Sequence, residues 1–178
     1  MNGWRAGGGA VWALLGAAAC GDPGTPVGSP DPLATPAICS SGVTRDPNES
    51  PGEAMMPGRA CNTCHAEANA TTDDGAPIFA FAGTIYPTGH EPDDCAAAGA
   101  AGAQVIVTDA TGASFVAAAN ETGNFSLSVS GVFVAPFRAR VVWGGRQRSM
   151  ATPQTNGDCN SCHTAAGAQA APGRIVLP

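Results

Sequence analysis

The sequence predicts a mainly β protein: an antiparallel sandwich of about seven short strands, with two loop-borne attachment segments and a disordered N-terminal tether. Three observations lead there. Short stretches rich in aromatic and β-branched residues recur, turn signals separate them at close spacing, and no stretch carries a convincing amphipathic helical period. The first strand is expected over 78–86, Ile78-Phe79-Ala80-Phe81-Ala82-Gly83-Thr84-Ile85-Tyr86, ended by Pro87. Strands over 103–109, 114–119 and 124–129 follow, parted by Ala110-Thr111-Gly112-Ala113 and Asn120-Glu121-Thr122-Gly123. Those over 137–143 and 146–150 flank Gly144-Gly145, a two-residue hairpin signal. A last strand is expected over 173–177.

The chain has 178 residues and opens with a short basic start, Arg5, and a small, apolar run that is too short and glycine-rich to span a bilayer. Residues 1–19 therefore read as an export signal. It ends in Leu15-Gly16-Ala17-Ala18-Ala19-Cys20, which resembles a lipoprotein lipobox with Ala17 where Leu is usual. Lipidation of Cys20 and ordinary cleavage after Ala19 are both open, and cysteine arithmetic favours the lipid. Seven cysteines are an odd number. With Cys20 lipidated and four cysteines assigned below, Cys39 and Cys95 are left, as a disulfide or as two free buried thiols. Residues 20–58 are dense in Pro, Gly, Ser and acidic side chains, the composition of a flexible tether. The net charge of −6 argues against nucleic-acid binding.

The chemistry lies in a repeated motif, Cys61-Asn62-Thr63-Cys64-His65 and Cys159-Asn160-Ser161-Cys162-His163. In a C-x-x-C-H segment two thiols add to the vinyl groups of one haem and the adjacent imidazole reaches its iron. Two copies predict two covalently attached haem c groups, held by Cys61, Cys64, Cys159 and Cys162, with His65 and His163 as proximal ligands. A single tetrahedral zinc would need only four of these six side chains, and a dithiol redox pair needs no following His.

Only three histidines exist, so His90 is the one imidazole left for a distal position. Its acidic loop, Thr88-Gly89-His90-Glu91-Pro92-Asp93-Asp94-Cys95, could orient it as a ligand or leave it solvated. Met55, Met56 and Met150 are the other distal candidates. Each haem motif has an upstream Met followed by a Pro, Met56-Pro57 and Met150 with Pro153, a parallel that suggests one binding mode used twice. Met150 also fits a strand residue paired with Ala139 and facing the core. Four arginines, Arg138, Arg140, Arg146 and Arg148, cluster on the hairpin, where they could hold haem propionates or protect an exposed edge.

The stretch Gly102-Ala103-Gln104-Val105-Ile106-Val107-Thr108-Asp109, with Glu121-Thr122-Gly123-Asn124-Phe125 further on, resembles the carboxypeptidase regulatory-like, transthyretin-like domain. That resemblance covers roughly residues 78 to 150 and implies a prealbumin-like sandwich serving as scaffold or interaction module, with no catalytic residues. The haem motif before the last strand is a departure from it. The paired C-x-x-C-H motifs resemble those of dihaem c-type cytochromes, without the helical frame of a compact cytochrome c. Together these divide the chain into an export signal (1–19), a lipid-anchored tether (20–58), a first haem segment (59–77), the sandwich (78–150), a second haem loop (151–172) and a final strand (173–178). The expected function is single-electron transfer between extracytoplasmic redox proteins. The protein would be anchored through Cys20 in the periplasm or on the outer membrane of a Gram-negative-type envelope, and no small-molecule substrate is identified. A dihaem peroxidase-like enzyme with one open iron site, and a non-redox metal-binding structural or interaction module, remain as alternatives.

Overall fold

The computed structural model describes residues 31–46, 52, 54–72, 75–128 and 133–178. The signal segment 1–19 and Cys20 lie outside the described residues. The protein is mainly β, with one α-helix, α1 (Cys61–Thr71), and seven strands among the described residues: β1 (Phe81–Tyr86), β2 (Gln104–Thr108), β3 (Ser114–Ala118), β4 (Asn124–Leu127), β5 (Arg138–Trp143), β6 (Arg146–Ser149) and β7 (Ile175–Val176). They form a three-stranded sheet in the order β4-β1-β7 and a four-stranded sheet in the order β3-β2-β5-β6.

The larger sheet follows the period-two pattern that the sequence carries. Val105 and Val107 of β2 are buried while the residues between and beside them are more open. The glycine pair closes the β5–β6 hairpin with Trp143 opposite Arg146, and Met150 N–H donates to the Ala139 carbonyl at 2.9 Å, the expected pairing. The turn between β2 and β3 is held by Asp109, whose Oδ1 accepts from the Thr111 amide and hydroxyl and from the Ala113 amide, while Oδ2 accepts from the Val134 amide. These bonds, the Thr111 hydroxyl foremost, hold the Asp109 carboxyl below its ordinary pKa. Phe81, Ile85 and Phe125 of the smaller sheet join Val105, Val107, Ala117 and Val141 of the larger in one buried apolar cluster.

β1 departs from the pattern: all six of its residues are buried. Such a strand is covered on both faces, and its Phe-Ala-Gly-Thr-Ile-Tyr sequence lacks the alternation of a half-exposed one. The second cover comes from chain segments on either side of the strand in sequence. Gly58 N–H donates to Thr84 Oγ1 at 2.9 Å, and Asn160 bonds both the amide and the hydroxyl of Thr84.

Several expectations are corrected. The first haem segment is not a loop but opens α1, and the second contains a 3-10 turn over Cys159–Ser161. The first strand begins at Phe81, because the Asn62 side chain takes both backbone polar groups of Phe79 and removes them from any ladder. Of the strand expected over 124–129, β4 covers Asn124–Leu127, and residue 129 lies outside the described residues. The last strand is only two residues long and runs parallel to β1, so the smaller sheet is not wholly antiparallel. The tether reading of 20–58 fails for 31–46, which pack on the body. Gly89 N–H donates to the Pro32 carbonyl, Arg45 N–H to the Asp94 carbonyl, and Thr44 bridges Cys95.

A disulfide fixes that segment. Cys39 and Cys95 are bonded, with Cα atoms 5.5 Å apart and a sequence separation of 56. Closing a loop of this length is worth ~4 kcal/mol by the loop-entropy relation. Reduction with a dithiol, or Cys95→Ser, is expected to lower unfolding free energy by about that amount, measured by urea unfolding with the slope fitted separately for each form.

Candidate haem-attachment site

The two C-N-x-C-H segments meet on β1 and use their matching residues in matching ways. Each asparagine pins its motif to backbone. Asn62 Nδ2 donates to the Phe79 carbonyl and its Oδ1 accepts from the Phe79 amide, both at 2.9 Å. Asn160 Oδ1 accepts from the Thr84 amide at 3.0 Å, and its Nδ2 donates to the Arg59 carbonyl at 2.8 Å and to Thr84 Oγ1 at 3.0 Å. Each histidine is held by a carbonyl a short way downstream: His65 Nδ1 by Pro77 at 2.5 Å, His163 Nδ1 by Gly173 at 2.9 Å. A carbonyl oxygen only accepts, so the proton sits on Nδ1 in both rings and the Nε2 lone pair is left for a metal. Burial further holds the His163 imidazole below its usual pKa, which favours the neutral, ligating form.

The segments also hold each other. α1 starts at Cys61 after Ala60, which offers no capping side chain. Asp158, the residue before the second motif, supplies the cap from across the chain: its Oδ2 accepts from the Thr63 amide and the Thr63 hydroxyl, each at 3.0 Å. This satisfies one of the open helix N–H groups and sets a carboxylate at the positive end of the helix. Two glycines permit the approach. A Cβ on Gly157 would lie 1.9 Å from the Ala80 carbonyl oxygen, and one on Gly83 would lie 3.0 Å from Cys159 Cβ and 2.9 Å from the Phe125 ring.

Beneath both motifs lies Arg174, a fully buried side chain. Its guanidinium donates to the carbonyls of Glu91 and Gly58 at 2.8 Å and of His163 at 3.3 Å, pairs with Asp93 at 2.5 Å, and stacks 5.1 Å above the Tyr86 ring centroid. Only a planar donor fork meets that set of acceptors. Asp93 is more than half exposed, so its charge is solvated, and the carbonyls are the partners that justify burying the arginine.

A cavity opens beside each motif. The first, about 480 Å³, is lined by Met55, Met56, Cys61, Cys64, His65 and Phe79. The second, about 300 Å³, has Phe137, Arg148, Met150, Cys159, Cys162 and His163 in its wall. Both lie in the roughly 300–1,000 Å³ range of cofactor clefts. Each therefore joins two motif cysteines, the proximal histidine and a candidate methionine. Of the hairpin arginines, Arg140 and Arg148 border the second cavity, while Arg138 donates to the Ala151 carbonyl. His90 is placed differently. Its Nδ1 faces the Ala165 carbonyl at 2.6 Å and its Nε2 the Leu33 carbonyl at 2.9 Å, and it lines neither cavity. In this arrangement the side chain ties the 31–46 segment to the loop after the second motif.

The first thiol of each motif is protonated rather than reactive. Burial first, then the Asp158 charge, pushes Cys61 up to about 12, and burial pushes Cys159 up to about 12. Such groups are poor thiolate nucleophiles, which weighs against a dithiol redox pair. Nor do the six motif side chains converge on one zinc. Among the described residues the group of ligand type gathered within 4.8 Å is Cys39, Glu91 and Cys95, and its two sulfurs are bonded to each other.

Asp158, Asn62, Asn160 and Arg174 were not singled out from sequence. The signal for the asparagines was present, since both motifs read C-N-x-C-H and not merely C-x-x-C-H. Asn160→Ala leaves the buried Thr84 amide and the Arg59 carbonyl without partners, and is expected to cost about 3 kcal/mol, read from urea unfolding. Asn62→Ala, at a more open position, should cost less. The chain matches no protein-family model, no curated protein and no solved structure.

Proposed function

We propose that this protein is a dihaem c-type cytochrome, a lipoprotein that carries single electrons between extracytoplasmic redox partners. The observation that carries the reading is the duplicated set: in each copy two cysteines and a histidine, its Nδ1 bonded to a carbonyl, border a cavity that also holds a methionine. These residues fit covalent haem. Cys61 and Cys64 would hold one group and Cys159 and Cys162 the other, with His65 and His163 as proximal ligands. When bound, haem supplies a reversible one-electron couple whose potential follows its axial ligands and surroundings.

The remaining chemistry belongs to the chain. Pro77 and Gly173 fix the two imidazoles through their carbonyls, and Asn62 and Asn160 fix the motif backbones. Met150 is proposed as the distal ligand in the second cavity, and Met55 or Met56 in the first; a thioether raises the potential relative to a second imidazole. Arg148 and Arg140 would meet the anionic propionates with their donor forks. A methionine in each cavity favours the electron carrier over a peroxidase-like enzyme with an open iron.

The two sheets, sharing one apolar cluster, are proposed to form a single prealbumin-like sandwich of the regulatory-like kind, with Asp109 as its turn-forming residue. The Cys39–Cys95 bond suits an oxidising compartment, in keeping with the proposed export, the lipid on Cys20, and a site in the periplasm or on the outer membrane. The acidic charge makes nucleic acid an unsuitable partner.

A pyridine haemochrome assay on protein made with a c-type maturation system should give about two haems per chain, and about one when either cysteine pair is replaced by alanine. No haem, with stoichiometric zinc instead, would reverse the reading in favour of a structural metal module. Met150→Ala is expected to lower the midpoint potential of one haem only, seen by redox titration followed in the Soret band.

A further inference from the structure

We propose that Asp158 is an electrostatic element common to both haem sites, a buried carboxylate between the two motifs that holds both reduction potentials down together. The inference rests on the dihaem reading and names what regulates that site. Asp158 is 4% exposed. One carboxylate oxygen, Oδ2, caps α1 through Thr63, two residues before His65, while the other, Oδ1, is buried without a hydrogen-bond partner among the described residues. The residue itself directly precedes Cys159 and its backbone bridges Ala82 of β1. It thus stands at the junction of the two attachment segments.

The nearby arginines are committed elsewhere, Arg59 to Asp94 and Arg174 to Asp93. Burial first, with the Asp158 charge as a lesser cause, raises the thiols of Cys61 in one motif and Cys159 in the other. A helix cap alone needs a single acceptor oxygen, so the unpartnered second oxygen is not explained by capping. Oxidised haem carries one more positive charge than reduced haem, and an anion held nearby in a poorly solvated position stabilises the oxidised form. Because the same carboxylate serves both sites, its removal should raise both potentials.

The test is redox titration of the matured, haem-loaded protein. Asp158→Asn removes the charge and keeps an oxygen for Thr63, Asp158→Ser is a second neutral variant, and Asp158→Glu keeps the charge. The expected result is an upward shift of both midpoints in whichever neutral variant matures with two haems, with the Glu variant close to the parent protein. Unmoved potentials, a shift of one haem alone, or an equal rise in the Glu variant would overturn the proposal. Loss of haem from both neutral variants while the Glu variant keeps it would assign Asp158 to scaffolding and overturn it too. A parent protein that binds no haem would instead remove the dihaem reading, before any substitution is compared.

Discussion

The structure depends on the hydrogen bonds by which Asp158 and Asn160 reach the first motif and β1, spanning 95 residues to Thr63 and 101 to Arg59. β1 is buried on both faces, and its second face is covered by short segments. Side-chain bonds to the backbone of β1 and α1 fix them there, in a place where an unmade bond is costly. Arg174 completes the tie from below, joining Gly58 before the first motif to His163 of the second. These bonds run between the two attachment segments in both directions, so neither is independent of the other.

That dependence shapes the proposed chemistry. In a protein with two separate haem domains each potential is set locally. Here the second segment caps the helix that bears the first, and the carboxylate that caps it lies beside cysteines of both. The β frame contributes two cavities, and the methionines proposed as axial ligands line them: Met150 just beyond β6, Met55 and Met56 before α1. Work on such a site by substitution should treat the motifs as one unit.

Much of the frame could be read from local sequence. The β2–β3 turn and the β5–β6 hairpin carry their own turn chemistry, Asp109 and Gly144-Gly145, and the Met150–Ala139 pairing followed from counting across that hairpin. α1 could not be found that way. Its one buried residue is His65, so it has no apolar stripe, and its cap is Asp158 rather than a neighbour. The docking of 31–46 was hidden for a similar reason: a Pro- and Ser-rich composition suggests a tether, and its ties to distant residues, such as the bond to Cys95 and the His90 contact with Leu33, cannot be read from local sequence. The motif cysteines and histidines stand out in the sequence because the proposed covalent attachment requires fixed spacing. The carbonyl partners of His90 could not be read from sequence, because an acidic loop says nothing of which backbone groups the ring will meet.

The central claim is that two haem-attachment motifs are built as one unit on a single strand. Circular dichroism of the matured protein across the Soret band tests this most directly, since chromophores held close together couple and chromophores on independent supports do not. The account predicts a bisignate, split Soret signal that collapses when either cysteine pair is replaced. A simple single-signed band from a protein carrying two haems would contradict it.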